Sequence, residues 1–261
     1  MTNSDELIYK VNDGIATICL NRPERKNALS TSLVGKLRDA WEAVDEDSNV
    51  KVVVLTSTDC GVFCAGMDLK EAAEIKQKTG ADILSTLKDP FHQRMRDVKK
   101  PIIAAMTGHL MAGGMLLSLN SDLRVGLVNT RVGITEAKIG RGSPWAVPLL
   151  GMLPEPLIME LVLTAAQMPI ERFYDVGFIN YLEQTPDQVR ERAYSLASTI
   201  RDNAPLSVVA AKASILSAMS LGCDEGLAEA KRLHEVVYAS EDGIEGPLSF
   251  AEKRKPQWKG R

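Results

Sequence analysis

The sequence predicts an α/β fold, and three observations predict it. Short β-branched runs alternate with stretches that set apolar residues at helical spacing. One run, VKVVVLTS, is apolar almost throughout, the pattern of a strand buried on both faces. The order strand, helix, strand of a βαβ unit occurs twice in the first half of the chain.

Taken in order, GIATICL (Gly14–Leu20) is short and β-branched, and the turn residues NRPERKN close it. Ser32 to Val44 places Leu33, Val34, Leu37, Trp41 and Val44 on one helical face, with Ser30, Thr31 and Ser32 as N-cap candidates. VKVVVLTS is the next strand. Glu71 to Lys100 is polar and poorly patterned, and reads as a mobile helical loop of the kind that covers a substrate. The second unit follows: PIIAAMTG as strand, Gly113–Leu119 as helix, DLRVGLV as strand. From Pro154 onward the pattern is helical, in PLIMELVLTA, PDQVRERAYSLASTIRD, PLSVVAAKASILSAMS and DEGLAEAKRLHEVVYAS, with Pro, Asp or Gly as punctuation. No repeat, low-complexity tract or linker is visible. The simplest division is a body over 1–203 and a helical region over 204–261. Amphipathic helices without a strand partner suit an oligomer surface; packing on their own body is the alternative.

Composition narrows the function. The 261 residues are 45% hydrophobic and 25% charged, ordinary for a globular chain with a sizeable core. A formal charge of −3 gives no basic field for a nucleic-acid partner. No run of about 18 apolar residues is present to span a membrane. MTNSDELIYK lacks the charged-then-apolar pattern of a signal peptide, and the final KGR is not a peroxisomal address of the Ser-Lys-Leu type. Cys19, Cys60, Cys64 and Cys223 follow neither metal-ligand spacing nor a disulfide framework. The expectation is a metal-free chain in a reduced, cytoplasmic setting.

Chemistry concentrates at three places. FCAGMDLK (Phe63–Lys70) puts a small-residue turn after a strand, where backbone can approach a ligand and present the N–H of Met67. HLMAGGMLLSLNSDLR (His109–Arg124) puts two glycines at the start of an apolar helix. The first N–H groups of a helix have no partner within it and carry the positive end of its dipole, about half a charge. They can hold a developing oxyanion without a lysine or a metal. GITEAKIGRGSP (Gly133–Pro144) carries Glu136 between Ile134 and Ile139. A carboxyl in apolar surroundings has a raised pKa and suits acid–base work near neutrality. Each place also has a plainer reading: a turn, a close helix–strand contact, a surface glutamate.

The order of the three resembles the enoyl-CoA hydratase/isomerase (crotonase) family along essentially the whole chain. LNRPERKNALS is similar to the family's early CoA-binding loop, VFCAGMDLKE and AGGMLLSLNSDLR to its two oxyanion-hole segments, and SEDGIEGPLSFAEKRKPQW to its C-terminal segment. The resemblance implies a crotonase-like β-β-α superhelix with a C-terminal helical region, assembled as a homotrimer or a dimer of trimers. It implies an acyl-CoA thioester as substrate, with coenzyme A part of that substrate and no further cofactor. The backbone N–H groups of Met67 and Gly113 match the oxyanion donors. Arg25, Lys26 and Ala28 match the contacts to the CoA phosphates and adenine, Ala65 the backbone that holds the adenine, and Asp68 lies among these CoA contacts. Phe250 and Lys253 match residues that reach a CoA from an adjacent subunit.

Glu136 matches the second of two family glutamates; the first falls at Leu116. AGG followed by a leucine there is also similar to one branch of the enoyl-CoA isomerases, which work with a single glutamate. Double-bond isomerisation is therefore the leading expectation. Hydration or dehydration of a 2-enoyl-CoA or a specialised acyl-CoA is the alternative, with Ser143 or His109 as stand-ins for the missing group, though His109 reads first as packing or capping. Hydrolysis or decarboxylation on the same oxyanion hole is a third course. A non-catalytic member binding a partner or RNA is a fourth, against which the net acidity and the retained Glu136 count. Leu116, Arg141, Ser143 and Trp145 are expected around the acyl group. FHQRM and the segment around Ile75 to Leu87 are expected to select it.

Overall fold

The computed structural model of the chain describes residues 5–261. The first four, on which the leader reading partly rests, lie outside the described residues. The chain opens with a hairpin of β1 (Leu7–Asn12) and β2 (Ile15–Leu20). Asp13 and Gly14 at its tip both have positive φ, 47° and 75°, as a two-residue hairpin turn requires. β1 is absent from the sequence reading. Helix α1 (Thr31–Glu46) follows, capped by Ser30, whose hydroxyl accepts the Leu33 N–H at 3.0 Å. Its apolar stripe of Leu33, Val34, Leu37, Trp41 and Val44 is buried as expected.

From there the chain repeats one move. A long strand, a short strand and a helical segment succeed one another three times. First come β3 (Val52–Ser57), β4 (Val62–Cys64) and α2 (Leu69–Thr79), with α3 (Ile83–Thr86) and α4 (Gln93–Arg96) after it. Next are β5 (Ile102–Met106), β6 (His109–Met111) and α5 (Gly113–Leu119). Last are β7 (Leu123–Leu127), β8 (Arg131–Gly133), the 3-10 turns Glu136–Ile139 and Pro144–Gly151, and α6 (Glu155–Thr164). Long strands join one sheet and short strands a second, so each turn of the chain advances one strand in both. This is the β-β-α superhelix.

The chain continues through β9 (Gln167–Pro169), α7 (Glu171–Asp175), β10 (Tyr181–Glu183) and α8 (Pro186–Arg201). The sheets run β1-β2-β3-β5-β7-β10 and β4-β6-β8-β9. β9 and β10 fall in the stretch that the periodicity reads as helical throughout. Each has three residues, too few to show alternation.

The large sheet is buried on both faces. Val53 and Leu55 of β3 enter the main core with Leu37 and Trp41. Val52 and Val54 meet Val189, Ala193 and Ala197 of α8 on the other side. That is why the strand reads as apolar throughout, at roughly 1.5–3 kcal/mol per buried aliphatic side chain.

The segment Glu71 to Lys100 is helical as expected, with α2, α3 and α4 in it. It is anchored by Ile83 and Met95, buried to 2% and 0% exposure. Glu71 accepts the Thr31 N–H at 3.1 Å and also the Thr31 hydroxyl, tying α2 to the start of α1.

Beyond α8, α9 (Pro205–Leu221) and α10 (Cys223–Tyr238) pack as a pair, followed by α11 (Glu241–Ala251). Lys212 of α9 reaches back to Asp122 at 2.8 Å, and the Trp258 indole donates to the Asp202 carbonyl at 2.8 Å. Ile215, Leu227, Tyr238, Ile244 and Phe250 remain exposed on this region. No single described helix is long and apolar enough to cross a membrane.

Candidate active site

The first backbone turn leaves β4 at Cys64. Gly66 sits at φ +88°, a conformation L side chains rarely adopt. Leu29 pairs with the turn on both sides: its N–H donates to the Gly66 carbonyl at 2.8 Å, and its carbonyl accepts the Asp68 N–H at 3.0 Å. Between these bonds the Met67 N–H has no partner among the described residues.

The second turn leaves β6 at Met111. The Ala112 N–H donates to the Gly133 carbonyl at 2.8 Å, and Ala112 itself is held at φ 49°. Gly113 opens α5, and its N–H is likewise without a partner. With only seven residues in α5, the local N–H, not a long dipole, is what this helix offers.

The glycines let the two turns touch. A Cβ on Gly114 would lie 2.4 Å from the Cys64 carbonyl oxygen, and one on Gly66 would lie 2.7 Å from the Ala112 Cβ. Neither distance is sterically possible, so any side chain there would push the two amides apart.

The third element is Glu136, at the start of its 3-10 turn. Its Oε2 is buried and makes no hydrogen bond. Burial pushes the carboxyl above its ordinary range, while the local backbone and the Trp145 indole pull more weakly the other way. An unpartnered buried carboxylate is costly, so the site favours the protonated form.

A cavity of about 110 Å³ joins these parts and is lined by Met67, Gly113, Leu116, Glu136, Arg141 and Trp145 among others. Glu136 is the sole carboxylate among the lining residues. Leu116, 4% exposed, is an apolar wall. The Arg141 guanidinium grips Asp82, the N-cap of α3, through both oxygens, with one bond at 2.8 Å. That pair links the Glu136 loop to the segment before β5, and it holds the Asp82 carboxyl down to about 2.

Of the residues expected from sequence, Glu136, Met67, Gly113, Ala65, Leu116, Arg141 and Trp145 meet at this cavity. Arg25 and Lys26 are exposed on the loop before α1, and the Ala65 N–H donates to the Lys26 carbonyl at 3.1 Å. Ala28 is buried, and its carbonyl accepts from Arg22 at 2.5 Å. Phe250 and Lys253 are exposed at the C-terminal end and do not line the cavity of this chain.

Asp68, Ser143 and His109 do not line this cavity. Asp68 is 5% exposed; its carboxylate bonds Arg22 at 3.0 Å and caps α2 at the Glu71 N–H, which holds the loop together. Ser143 stands between two lining residues, Gly142 and Trp145, without lining the cavity itself. His109 is occupied as a cap, its Nδ1 accepting the Arg131 N–H at 2.8 Å.

The sequence reading did not single out Leu29, whose backbone sets the first turn, or His92, which lines the cavity. FHQRM pointed at the second of these. Nothing local marked the first, since its contribution is two main-chain bonds. Among the described residues no group of three or more His, Cys, Asp or Glu could hold a metal ion.

A family model described as enoyl-CoA hydratase/isomerase matches residues 10–261. The chain belongs to that family. It is 34% identical over 257 residues to enoyl-CoA hydratase EchA19 of Mycobacterium tuberculosis, covering 94% of this chain and 92% of that one. It is 31% identical over 257 residues to the mitochondrial methylglutaconyl-CoA hydratase of Mus musculus, covering 95% and 81%. The crystal structure of an enoyl-CoA hydratase from Bacillus anthracis superposes with a TM-score of 0.92 at 27% identity, covering 98% of this chain and 100% of that one. The superhelix is thus the crotonase fold, and the chain is an enzyme of a family that acts on acyl-CoA thioesters.

Proposed function

We propose that this enzyme moves a double bond within an enoyl-CoA, from the 3,4 to the 2,3 position. The observation that carries the proposal is a single desolvated carboxyl, Glu136, in a cavity with two unengaged main-chain N–H groups and an apolar Leu116 wall. The Glu136 carboxylate takes a proton from C2 of the thioester. The electron pair delocalises onto the carbonyl oxygen and across C4, giving a dienolate. The Met67 and Gly113 N–H groups hold the oxyanion; one such donor is worth roughly 3–4 kcal/mol. Glu136 then returns the same proton to C4, and the double bond settles at C2–C3. No water and no cofactor enters the balance. An apolar wall suits this chemistry, because water near the dienolate would compete for the proton.

In this reading the exposed Arg25 and Lys26 meet the CoA phosphates, and the backbone at Ala28 and Ala65 meets the adenine. Phe250 and Lys253 reach the CoA of a neighbouring copy in a homotrimer or dimer of trimers. Their exposure in the single chain supports that placement.

Hydration is the second reading, favoured by the names of the similar proteins, both hydratases. There Glu136 would protonate C2 while water adds at C3. Incubating the enzyme with 2-hexenoyl-CoA and 3-hexenoyl-CoA separates the two. Bond migration leaves the mass unchanged, and hydration adds one water. The proposal expects migration to exceed water addition by at least about tenfold; the opposite ratio replaces it with hydration.

A further inference from the structure

Behind the reacting groups, the cavity ends at a residue that the proposed chemistry does not use. His92 is 3% exposed and lines the cavity that holds Glu136 and Leu116. Its backbone is held from several sides. The His92 N–H donates to the Asp89 carbonyl at 3.3 Å, and its own carbonyl accepts from the Met95 N–H at 3.1 Å and the Asn120 side chain at 3.3 Å. Asp89 locks the following turn by accepting the Gln93 and Arg94 N–H groups at 2.7 and 3.0 Å.

These bonds keep His92 at φ 49°, ψ 40°, in the left-handed region that few non-glycine residues occupy, though histidine enters it more readily than most. Such strain persists only where the surroundings over-determine it. All the hydrogen bonds at this residue run through its main chain; the imidazole nitrogens have none among the described residues. A nearly buried polar ring without a protein partner, facing a cavity, is a group waiting for a ligand.

Its position says which part of the ligand. Gly113 begins α5, and Asn120, which holds the His92 carbonyl, caps the other end. Seven residues at the helical rise separate those ends by about 10 Å. The His92 backbone therefore lies near the far end of α5 from Gly113, and with the CoA arm at the loop of Arg25, Lys26 and Ala65 as proposed above, the acyl chain is the part of the ligand left to meet it.

We infer that His92 is a specificity-determining residue that hydrogen-bonds a neutral oxygen, a hydroxyl or keto group, carried by the acyl chain beyond the reacting carbons. The inference rests on the cavity being the acyl site. Burial pulls the imidazole down to about 4, against an opposing pull from Asp89, so the ring is uncharged at neutral pH. A neutral imidazole offers one donor and one acceptor, which match a hydroxyl. An acyl carboxylate fits less well. The cation lining the cavity, Arg141, is already engaged by Asp82 on both nitrogens.

Calorimetric binding of saturated thioesters tests this, since they have no double bond to move. The full-length protein is titrated with hexanoyl-CoA, with hydroxyhexanoyl-CoA isomers hydroxylated beyond the third carbon, and with adipyl-CoA. At least one hydroxy isomer is expected to bind five- to tenfold tighter than hexanoyl-CoA. In His92→Phe that ratio falls to near one; in His92→Gln, which keeps a donor and an acceptor, part of it returns. The inference is overturned if no hydroxy isomer gains, if His92→Phe leaves the ratio unchanged, or if adipyl-CoA shows the largest gain. Each of those results leaves the bond-migration assay standing. Conversely, hydration in that assay with the binding ratio intact removes the isomerase reading and keeps His92.

Discussion

Two segments of this enzyme occupy equivalent places in the superhelix and do opposite things. α5 follows β6, and the 3-10 turn Glu136–Ile139 follows β8, the next strand of the same small sheet. α5 buries every residue from Gly114 to Leu119, so what it presents at its mouth is backbone. The later turn buries none of its residues fully and brings a carboxyl to the cavity instead. The first segment offers an N–H fixed in the main chain. The second offers a carboxyl that can take up and release a proton. The proposed enolate chemistry needs one of each, and the fold brings both to one cavity by repeating one topological step with different residues in it.

The strongest way to break the contrast is to remove the mobile proton. Glu136→Gln keeps the shape and is expected to lower kcat by about 10²–10⁴ with CoA-thioester affinity retained. A stability measurement excludes unfolding as the cause. Folding raises the Glu136 pKa, so the folded state binds more protons than the unfolded chain in that range. Its contribution to stability is present below the unfolded value and is lost as pH rises through the folded one. At neutral pH the ionised group therefore destabilises, and the Gln variant should melt at an equal or higher Tm. Full turnover in the variant would remove Glu136 from the mechanism.

The partner of that fixed N–H, the Met67 amide in the turn packed against the start of α5, breaks next. Gly66→Ala forces a Cβ to 2.7 Å from Ala112 on a backbone at φ +88°, which displaces the Met67 amide. Turnover should fall by about 10²–10³, the usual effect of losing one oxyanion donor. Wild-type kcat in a folded Gly66→Ala protein would show that Met67 is not a donor.

Much of this contrast was legible in the sequence, and the reasons are local. β3 announced itself because both faces are buried, and α5 because Gly113 to Leu119 is an apolar helix with an abrupt glycine start. Glu136 stood out as a charge among isoleucines, although Ile139 proved half exposed at 52%. The three-fold repetition was invisible. It resides in strand pairing, and its short strands β4, β6 and β8 have three residues each, with no shared side-chain pattern. Asp68 is paired with Arg22 across 46 positions of sequence. Long-range partners of that kind leave no local trace, and neither do the Leu29 main-chain bonds.

The apolar side of the comparison can be sharpened by making it resemble the other. Leu116→Glu puts a second carboxyl into the cavity. Addition of water to 2-hexenoyl-CoA should rise by about tenfold over wild type if water activation is what the leucine suppresses. A lower Tm should accompany it, because the new group is buried without a partner. Unchanged hydration in a folded Leu116→Glu protein would show that the leucine does not decide between the two reactions.

The smallest effect lies in the pH profile, and it asks whether the two walls are coupled. Glu136 works as a base only when ionised, so kcat/KM should rise with pH through its pKa and then level. Burial places the midpoint of that limb above the ordinary glutamate value of 4.5. Leu116 lines the same cavity as Glu136. Leu116→Ala opens space for water near the carboxyl, solvates its charged form, and should move the limb downward toward 4.5. Profiles of the two proteins under subsaturating 3-hexenoyl-CoA give the answer directly. Coincident limbs would mean that the proton carrier is desolvated by its own loop and Trp145 alone, and that the apolar helix excludes water without tuning the base.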